Sequence, residues 1–589
     1  MVLAGTGIIS CGGGGTTPSA PTVTKPAVQL SSTSLNFAGQ VVGSTSPAQT
    51  VTLTNTGNGA LTIASIVPGG PSGNFAVSTT CGAAVAASAS CSIKVTFTPT
   101  TGGTASGFIT ITDDAATSPQ SVSLNGTGMA GLMKLSTDTF TNLTSQHATE
   151  VEPDTFAHGS TIVSVFQVGR FFNGGSSAIG FSTSSDGGAT WTPGFLPGIT
   201  TLESVPGTYD RVSDPSVAYD AAHAVWLVAS LPLLAVGTTV TAPGVLVSRS
   251  TDGIHWDTPV AVVTGGDLDK SWIACDDWPM SPYFGNCYVE WDDPAQANLI
   301  QMSTSTDGGL TWGAPLATAD GAGGIGGEPV VRPDGRVVVP IANAYETGIL
   351  SFYSDDGGAS WSSTVRVAPT PNHLVAGHLR YGPLPSADAD SSGKIYVVWP
   401  DCSFRTDCTS NDIVMSTSTD GVTWTSPARI PLDDLSSGAD HFIPGIAVDP
   451  ATAGSTAHLS LVYYYYPSAA CATSTCELDL GYVSSTDGGA TWSAPVQLAG
   501  PVNVTSLPAT SIGYMVADYI SLSFANGLAY GAFAVANPNA GATFDEAIYT
   551  TANGLSARAT TRMRSSAGET RVRNARSDHA ARRTPAIVR

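Results

Sequence analysis

Six copies of one short turn sequence constrain this chain more than any other feature. Ser184 to Trp191, Ser305 to Trp312, Ser354 to Trp361 and Ser485 to Trp492 follow the pattern Ser-x-Asp-Gly-Gly-x-Thr/Ser-Trp. Ser250 to Trp256 and Ser418 to Trp424 are the same turn with one residue fewer. The Asp residues, Asp186, Asp252, Asp307, Asp356, Asp420 and Asp487, are 49 to 67 residues apart, so units of similar size follow one another. An Asp before glycines lets a carboxylate accept backbone N–H groups a few residues on, while glycine takes up positive φ without a clash. The Trp offers a large apolar plate to a neighbouring unit.

The other strands can be counted without the octets. Between residues 132 and 552, each unit has a strand ending in a polar turn, a second strand rich in Val, Trp and Tyr, a variable loop, and a third strand leading into the octet. The first turns run from Ala157-His-Gly159 to Ala525-Asn-Gly527, and there are seven. The last unit, Tyr519–Phe524, Leu528–Ala534 and Ala547–Thr550, has no octet and lacks a fourth strand. Met133-Lys-Leu-Ser136, ahead of the first unit, supplies that strand and closes a ring, which removes exposed sheet edges.

The octet resembles the Asp-box (BNR) repeat of the sialidase-like β-propellers. That resemblance implies boxes that are scaffold, between the third and fourth strands of each blade and on the face away from the active site, so the six Asp residues are read as structural. The predicted fold is all-β: an immunoglobulin-like β-sandwich followed by a seven-bladed β-propeller, with six blades as the alternative. Residues 28–128 alternate apolar and polar residues in short runs, such as Gln49 to Thr54 and Cys91 to Phe97. The run Val51 to Gly57 and the closing Leu124-Asn-Gly-Thr-Gly128 resemble the immunoglobulin-like ASH or choice-of-anchor D modules, which implies a spacer or binding module. The predicted layout is a truncated signal and linker at 1–27, the sandwich at 28–128, the propeller at 132–552 and a disordered basic tail at 553–589.

Nine Arg against Glu569 and Asp578 in the tail mean that the remainder is more acidic than the net −22 of the whole chain. Such a surface repels nucleic acid. Eight cysteines form four close pairs, Cys81 with Cys91, Cys275 with Cys287, Cys402 with Cys408 and Cys471 with Cys476. Short-range pairs without C-x-x-C spacing or a nearby His read as disulfides, hence an oxidising compartment. Cys11, after Ile8-Ile9-Ser10, resembles the lipobox of bacterial lipoproteins, although the ten residues before it hold no Lys or Arg. The expectation is an exported envelope lipoprotein or secreted protein whose only membrane attachment is a lipid at Cys11.

In a propeller the starts of the first strands crowd the axis and the loops between second and third strands surround them, so that face is the default ligand site. First-strand starts offer Glu152, Asp214, Asp269, Lys270, Glu328, Arg380, Tyr381, Asp440, His441, Asp518 and Tyr519; the loops offer Arg170, Phe172, Tyr345, Glu346, Asp401, Arg405 and Tyr465. Carboxylates, Arg and aromatic rings in one cleft suit a glycan or glycoprotein partner, and paired carboxyls suit glycosidic hydrolysis; the alternative is a non-catalytic carbohydrate- or protein-binding adhesion module on the same scaffold. The sialidase resemblance implies three Arg on a substrate carboxylate, a Tyr nucleophile polarised by a Glu, and an Asp acid/base. The chain lacks the family's R-I-P motif, with Glu152-Pro-Asp-Thr-Phe156 in the corresponding stretch. The candidates are Glu152, Asp214, Glu328, Tyr345 and Tyr519 for catalysis, and Arg170, Arg211, Arg380, Arg405, Asp440 and His441 for substrate binding. No cofactor is required by this chemistry, no dedicated metal set is assigned, and Ca²⁺ is the ion that a carboxylate ring would take. No H-E-x-x-H, P-loop or G-x-S-x-G is present.

Overall fold

The structure, a computed structural model, describes residues 24–557 apart from 38, 71–72, 101–102, 130, 540 and 542, together with the backbone of 563–564. Cys11 and nearly all of the basic tail lie outside the described residues. The protein is all-β, with five short 3-10 turns among the described residues. It divides into two compact units on either side of Gly128. All four expected disulfides form.

The first unit has two sheets. Val28–Leu30, Gln49–Asn55, Ser90–Phe97 and Phe75–Thr79 make one; Ser34–Asn36, Gln120–Met129, Gly103–Asp113, Leu61–Gly69 and Ala84–Val85 make the path of the other. Alternation buries one face of each strand. Val51, Leu53, Ile93 and Val95 from the first sheet and Ile109, Ile111, Val122 and Leu124 from the second join one core, all fully buried.

The second unit is built from seven successive four-stranded antiparallel groups. Their first strands are Gln146–His158, Arg211–Asp220, Asp269–Cys275, Val330–Val331, Ser386–Ala389, Asp440–Val448 and Ser521–Ala525. Each pairs with the next strand along the chain. In the seventh group Ser521–Ala525, Leu528–Ala536 and Glu546–Thr551 follow in order, and the fourth strand is Leu132–Lys134, drawn from before the first group. A parallel bridge, Thr149 to Glu546, joins the seventh group to the first.

The octets interlock neighbouring groups. In the first, Asp186 Oδ1 accepts from Thr190 N at 2.9 Å and Asp186 Oδ2 from Thr190 Oγ1 at 2.6 Å, while Ser184 Oγ accepts from Gly188 N at 2.8 Å. Thr190, then its backbone, hold the Asp186 carboxyl down at about 2. Where the shorter turn at Asp252 lacks the Thr, His255 Nδ1 takes its place on Oδ2 at 2.7 Å. Each octet then presses on the preceding group. Trp256 packs on Phe181, Trp361 on Tyr288, and Trp492 joins the core of Tyr396 and Met415. Gly188, at φ +88°, shows why the position demands glycine: a Cβ there would lie 2.2 Å from Tyr530 of the seventh group. The first octet thus rests on the seventh group, so the interlocks run round a circle.

Strand direction sorts the turns onto two ends. His158 opposite Thr161 puts the turns between first and second strands beside the octets, and Gly187 N donates to Ser160 O at 2.8 Å. Gln146 opposite Arg170 puts the starts of the first strands together with the loops between second and third strands, at the other end. That end is called the loop face below.

Candidate functional site

Several first strands are interrupted near their start. Glu152, Asp214, Lys270 and Ile443 take φ of 50°, 49°, 51° and 48°, and the strand register slips at each. Pro153, Pro215 and Pro444 follow three of them; a residue without an N–H cannot continue the ladder, so the chain bulges there. The bulges gather Glu152, Asp214 and Lys270 with Arg380, Asp518 and Tyr519 at the middle of the ring.

The result is a dense buried ion cluster. Lys270 Nζ donates to Asp518 and lies 3.5 Å from Glu152 Oε1; Arg380 Nη2 donates to Asp518 and lies 3.7 Å from Glu152 Oε1. Gln167 Nε2 donates to Glu152, and Arg170 Nη1 donates to Gln167 Oε1 at 3.0 Å. Burial pushes the Glu152 carboxyl up to about 8, against the pull of Lys270. Burial opposes ionisation of Asp214 and Asp518 too, but Lys270 at the first and Arg380 with Lys270 at the second hold both below the usual carboxylate range. A protonated Glu152 among ionised neighbours is the arrangement that satisfies these groups. Tyr519 is held well above its ordinary value, by burial and then by Glu152; its hydroxyl donates to Pro215 O at 3.4 Å and its ring meets Trp272 edge-on at 5.0 Å. The cavity beside Lys270, Asp518 and Tyr519 is about 30 Å³, water-sized.

The structure therefore brings Glu152, Asp214, Tyr519, Arg170 and Arg380 together, sets Glu328 at the edge of the same cavity, and holds the remaining candidates elsewhere. Glu328 borders the same cavity, but its Oε2 accepts from Ala387 N of the next first strand at 2.8 Å. Asp154 and Asp388 brace Val217 N and Val448 N in the same way, both at 2.7 Å. Arg211 stacks on Phe171 at 4.0 Å and donates to Asn173 Oδ1 and Gly174 O, both at 2.8 Å. Arg405 and Arg429 pair with Asp412 and Asp433. Ligand atoms of Asp412, Asp433 and His441 come within 4.8 Å of one another, but two guanidiniums already neutralise those carboxylates, a set suited to ion pairing more than to a hard cation. Tyr345 stands on the loop face, 78% exposed. Asp440 pairs with His373 at 3.0 Å, and His441 stacks on Tyr465 at 5.9 Å.

A hairpin of Ala509–Thr510 and Gly513–Tyr514 crosses the loop face above the cluster. Ser511 N donates to Phe172 O at 2.9 Å and Gln146 Nε2 to Ala509 O at 2.9 Å on one side; Arg380 N donates to Tyr514 O at 2.6 Å on the other. Sequence reasoning missed this strap, Gln167 and His373. The strap's two-residue strands carry no alternation, and His373 sits in a connection whose neighbours give no pattern.

Two family descriptions match the chain: Cep192 domain 4 over residues 25–129 and the BNR repeat-like domain over residues 237–444. No curated protein matches it. Among solved structures it is similar to a Hadza microbial sialidase, at 15% identity and a TM-score of 0.39, over 66% of this chain and 78% of that one. It is also similar to the intramolecular trans-sialidase of Ruminococcus gnavus, at 13% identity and 0.34, over 68% and 94%. An ulvan lyase gives 10% identity and 0.41, over 72% and 96%. The BNR repeat-like description thus covers the middle of the second unit, along which six octets of one pattern recur, each locking its group to the one before.

Proposed function

We propose that this chain is an extracellular, glycan-directed protein: an immunoglobulin-like spacer carrying a seven-bladed propeller whose loop face binds carbohydrate, with the buried ion cluster serving as the hub of the ring. The observation that carries this reading is the state of the cluster. Asp518 lies between Lys270 and Arg380, and the same two cations approach Glu152 Oε1, at 3.5 and 3.7 Å. The adjoining cavity of about 30 Å³ is too small for a sugar ring. The loop face instead offers Phe172, 54% exposed, and Tyr345, rings suited to stacking on sugars. Four disulfides suit an oxidising exterior. Attachment through an acylated Cys11 is part of the proposal.

A second reading, glycoside hydrolysis, draws on one observation: Tyr519, Glu152, Arg170 and Arg380 do share the cluster. The two readings separate when purified full-length protein is applied to a glycan array and, in parallel, to fluorogenic sialosides and other glycosides. Binding without turnover is expected, unchanged by EDTA since the reading needs no metal. Turnover that is lost in Glu152→Gln and Tyr519→Phe would favour hydrolysis.

A further inference from the structure

Between the fifth and sixth groups, at the loop face, a histidine and an aspartate form an oriented pair that the cluster does not use. His373 Nδ1 lies 3.0 Å from Asp440 Oδ2. Asp440 Oδ1 accepts from Asn411 N at 2.7 Å and Asn411 Nδ2 at 3.0 Å, so the fully buried carboxylate is fixed from both sides. Asn411 also clamps the histidine backbone: its Oδ1 accepts from His373 N at 2.7 Å and its Nδ2 donates to His373 O at 2.9 Å. A carboxylate on Nδ1 keeps the proton there and leaves Nε2 as an acceptor. Nε2 has no partner among the described residues, and the side chain is 25% exposed. The surroundings are amphipathic. Leu374 is 63% exposed, and Asn372 Nδ2 donates to Glu346 O at 3.3 Å, which ties this segment to the loop that carries the exposed Tyr345 ring.

We propose that Tyr345 and the His373–Asp440 pair form a carbohydrate subsite, in which a sugar ring stacks on Tyr345 and one of its hydroxyls donates to His373 Nε2. This rests on the glycan-directed reading and adds its location. A ring on one loop and a fixed hydrogen-bond acceptor on the segment tied to that loop offer the two contacts that a pyranose, with one apolar face and equatorial hydroxyls, makes. Asp440 acts as a positioning residue, through the tautomer that it imposes.

The test uses full-length protein and the variants His373→Phe and Tyr345→Ala, on the array and then by titration with the best-bound oligosaccharide. Both side chains are solvent-accessible, and circular dichroism and melting temperature check that each variant is folded. Expected is a loss of affinity of tenfold or more in each variant, and a shift of the His373 imidazole ¹⁵N resonances of the wild type when the sugar is added. Binding by wild type that both variants retain, with unmoved resonances, overturns the subsite and leaves the glycan-directed reading standing. Wild type that binds nothing on the array overturns the reading, and the subsite with it.

Discussion

At the scale of single residues, the octets are where local chemistry and architecture coincide. Trp492 is 2% exposed and packs across a group boundary, so Trp492→Ala is expected to lower stability by about 3–5 kcal/mol in a denaturant melt. Gly188→Ala faces both a positive φ and the Tyr530 ring, so it is expected to cost more than the usual ~1 kcal/mol for alanine in the left-handed region. These positions were legible because one turn pattern, repeated, fixes side chains within eight residues of each other. The site was less legible. Adjacent sequence suggested Asp440 with His441, but neighbours on a strand point to opposite faces. Asp440 therefore meets His373, 67 residues away, and His441 turns to Tyr463 and Tyr465. Nor does the sequence announce that Glu152, Asp214 and Lys270 sit on bulges, because non-glycine residues at positive φ are set by packing of the ring and not by local preference.

At the scale of elements, the fold depends on a strand that comes from far away in sequence. Leu132–Lys134 pairs with Glu546–Thr551, as the missing fourth strand of the last unit required. Removing residues 129–135 is expected to expose the backbone of Glu546–Thr551, read as faster amide exchange there with the fifth group unchanged. Equal exchange in both would show that this pairing does not secure the ring. The Cys402–Cys408 disulfide closes the loop that holds Arg405 against Asp412 and Asp433. Replacing both cysteines by serine is expected to cost about 2 kcal/mol, the range for a short closed loop, measured by thermal unfolding. The order of the strands was readable from turn signals, whereas the strap of Ala509–Tyr514 was not, since its bonds beyond the hairpin are to segments far away in sequence.

At the scale of the whole molecule, burial of carboxyls sets the response to pH. Burial raises Glu152 to about 8, and Glu150, Asp154 and Asp388 to about 7. In the folded chain these groups keep protons that the unfolded chain releases above its ordinary carboxylate range, so the unfolded state binds fewer protons and stability falls as pH rises from about 5 to about 8. Asp186 works in the opposite sense: its contribution is present above the ordinary carboxylate value and is lost as pH falls toward about 2. The melting temperature is therefore expected to peak in mildly acidic solution, and Glu152→Gln to flatten the alkaline side of the profile. The claim on which the account turns is that carbohydrate meets this ring at its loop face and not within the ion cluster. A crystal structure of the full chain soaked with the best-bound oligosaccharide tests it most directly. Density for a sugar over Tyr345 and His373, with Lys270 and Arg380 still on Asp518, is the expected result; a sugar lodged against Glu152 and Tyr519, with those ion pairs opened, would contradict it.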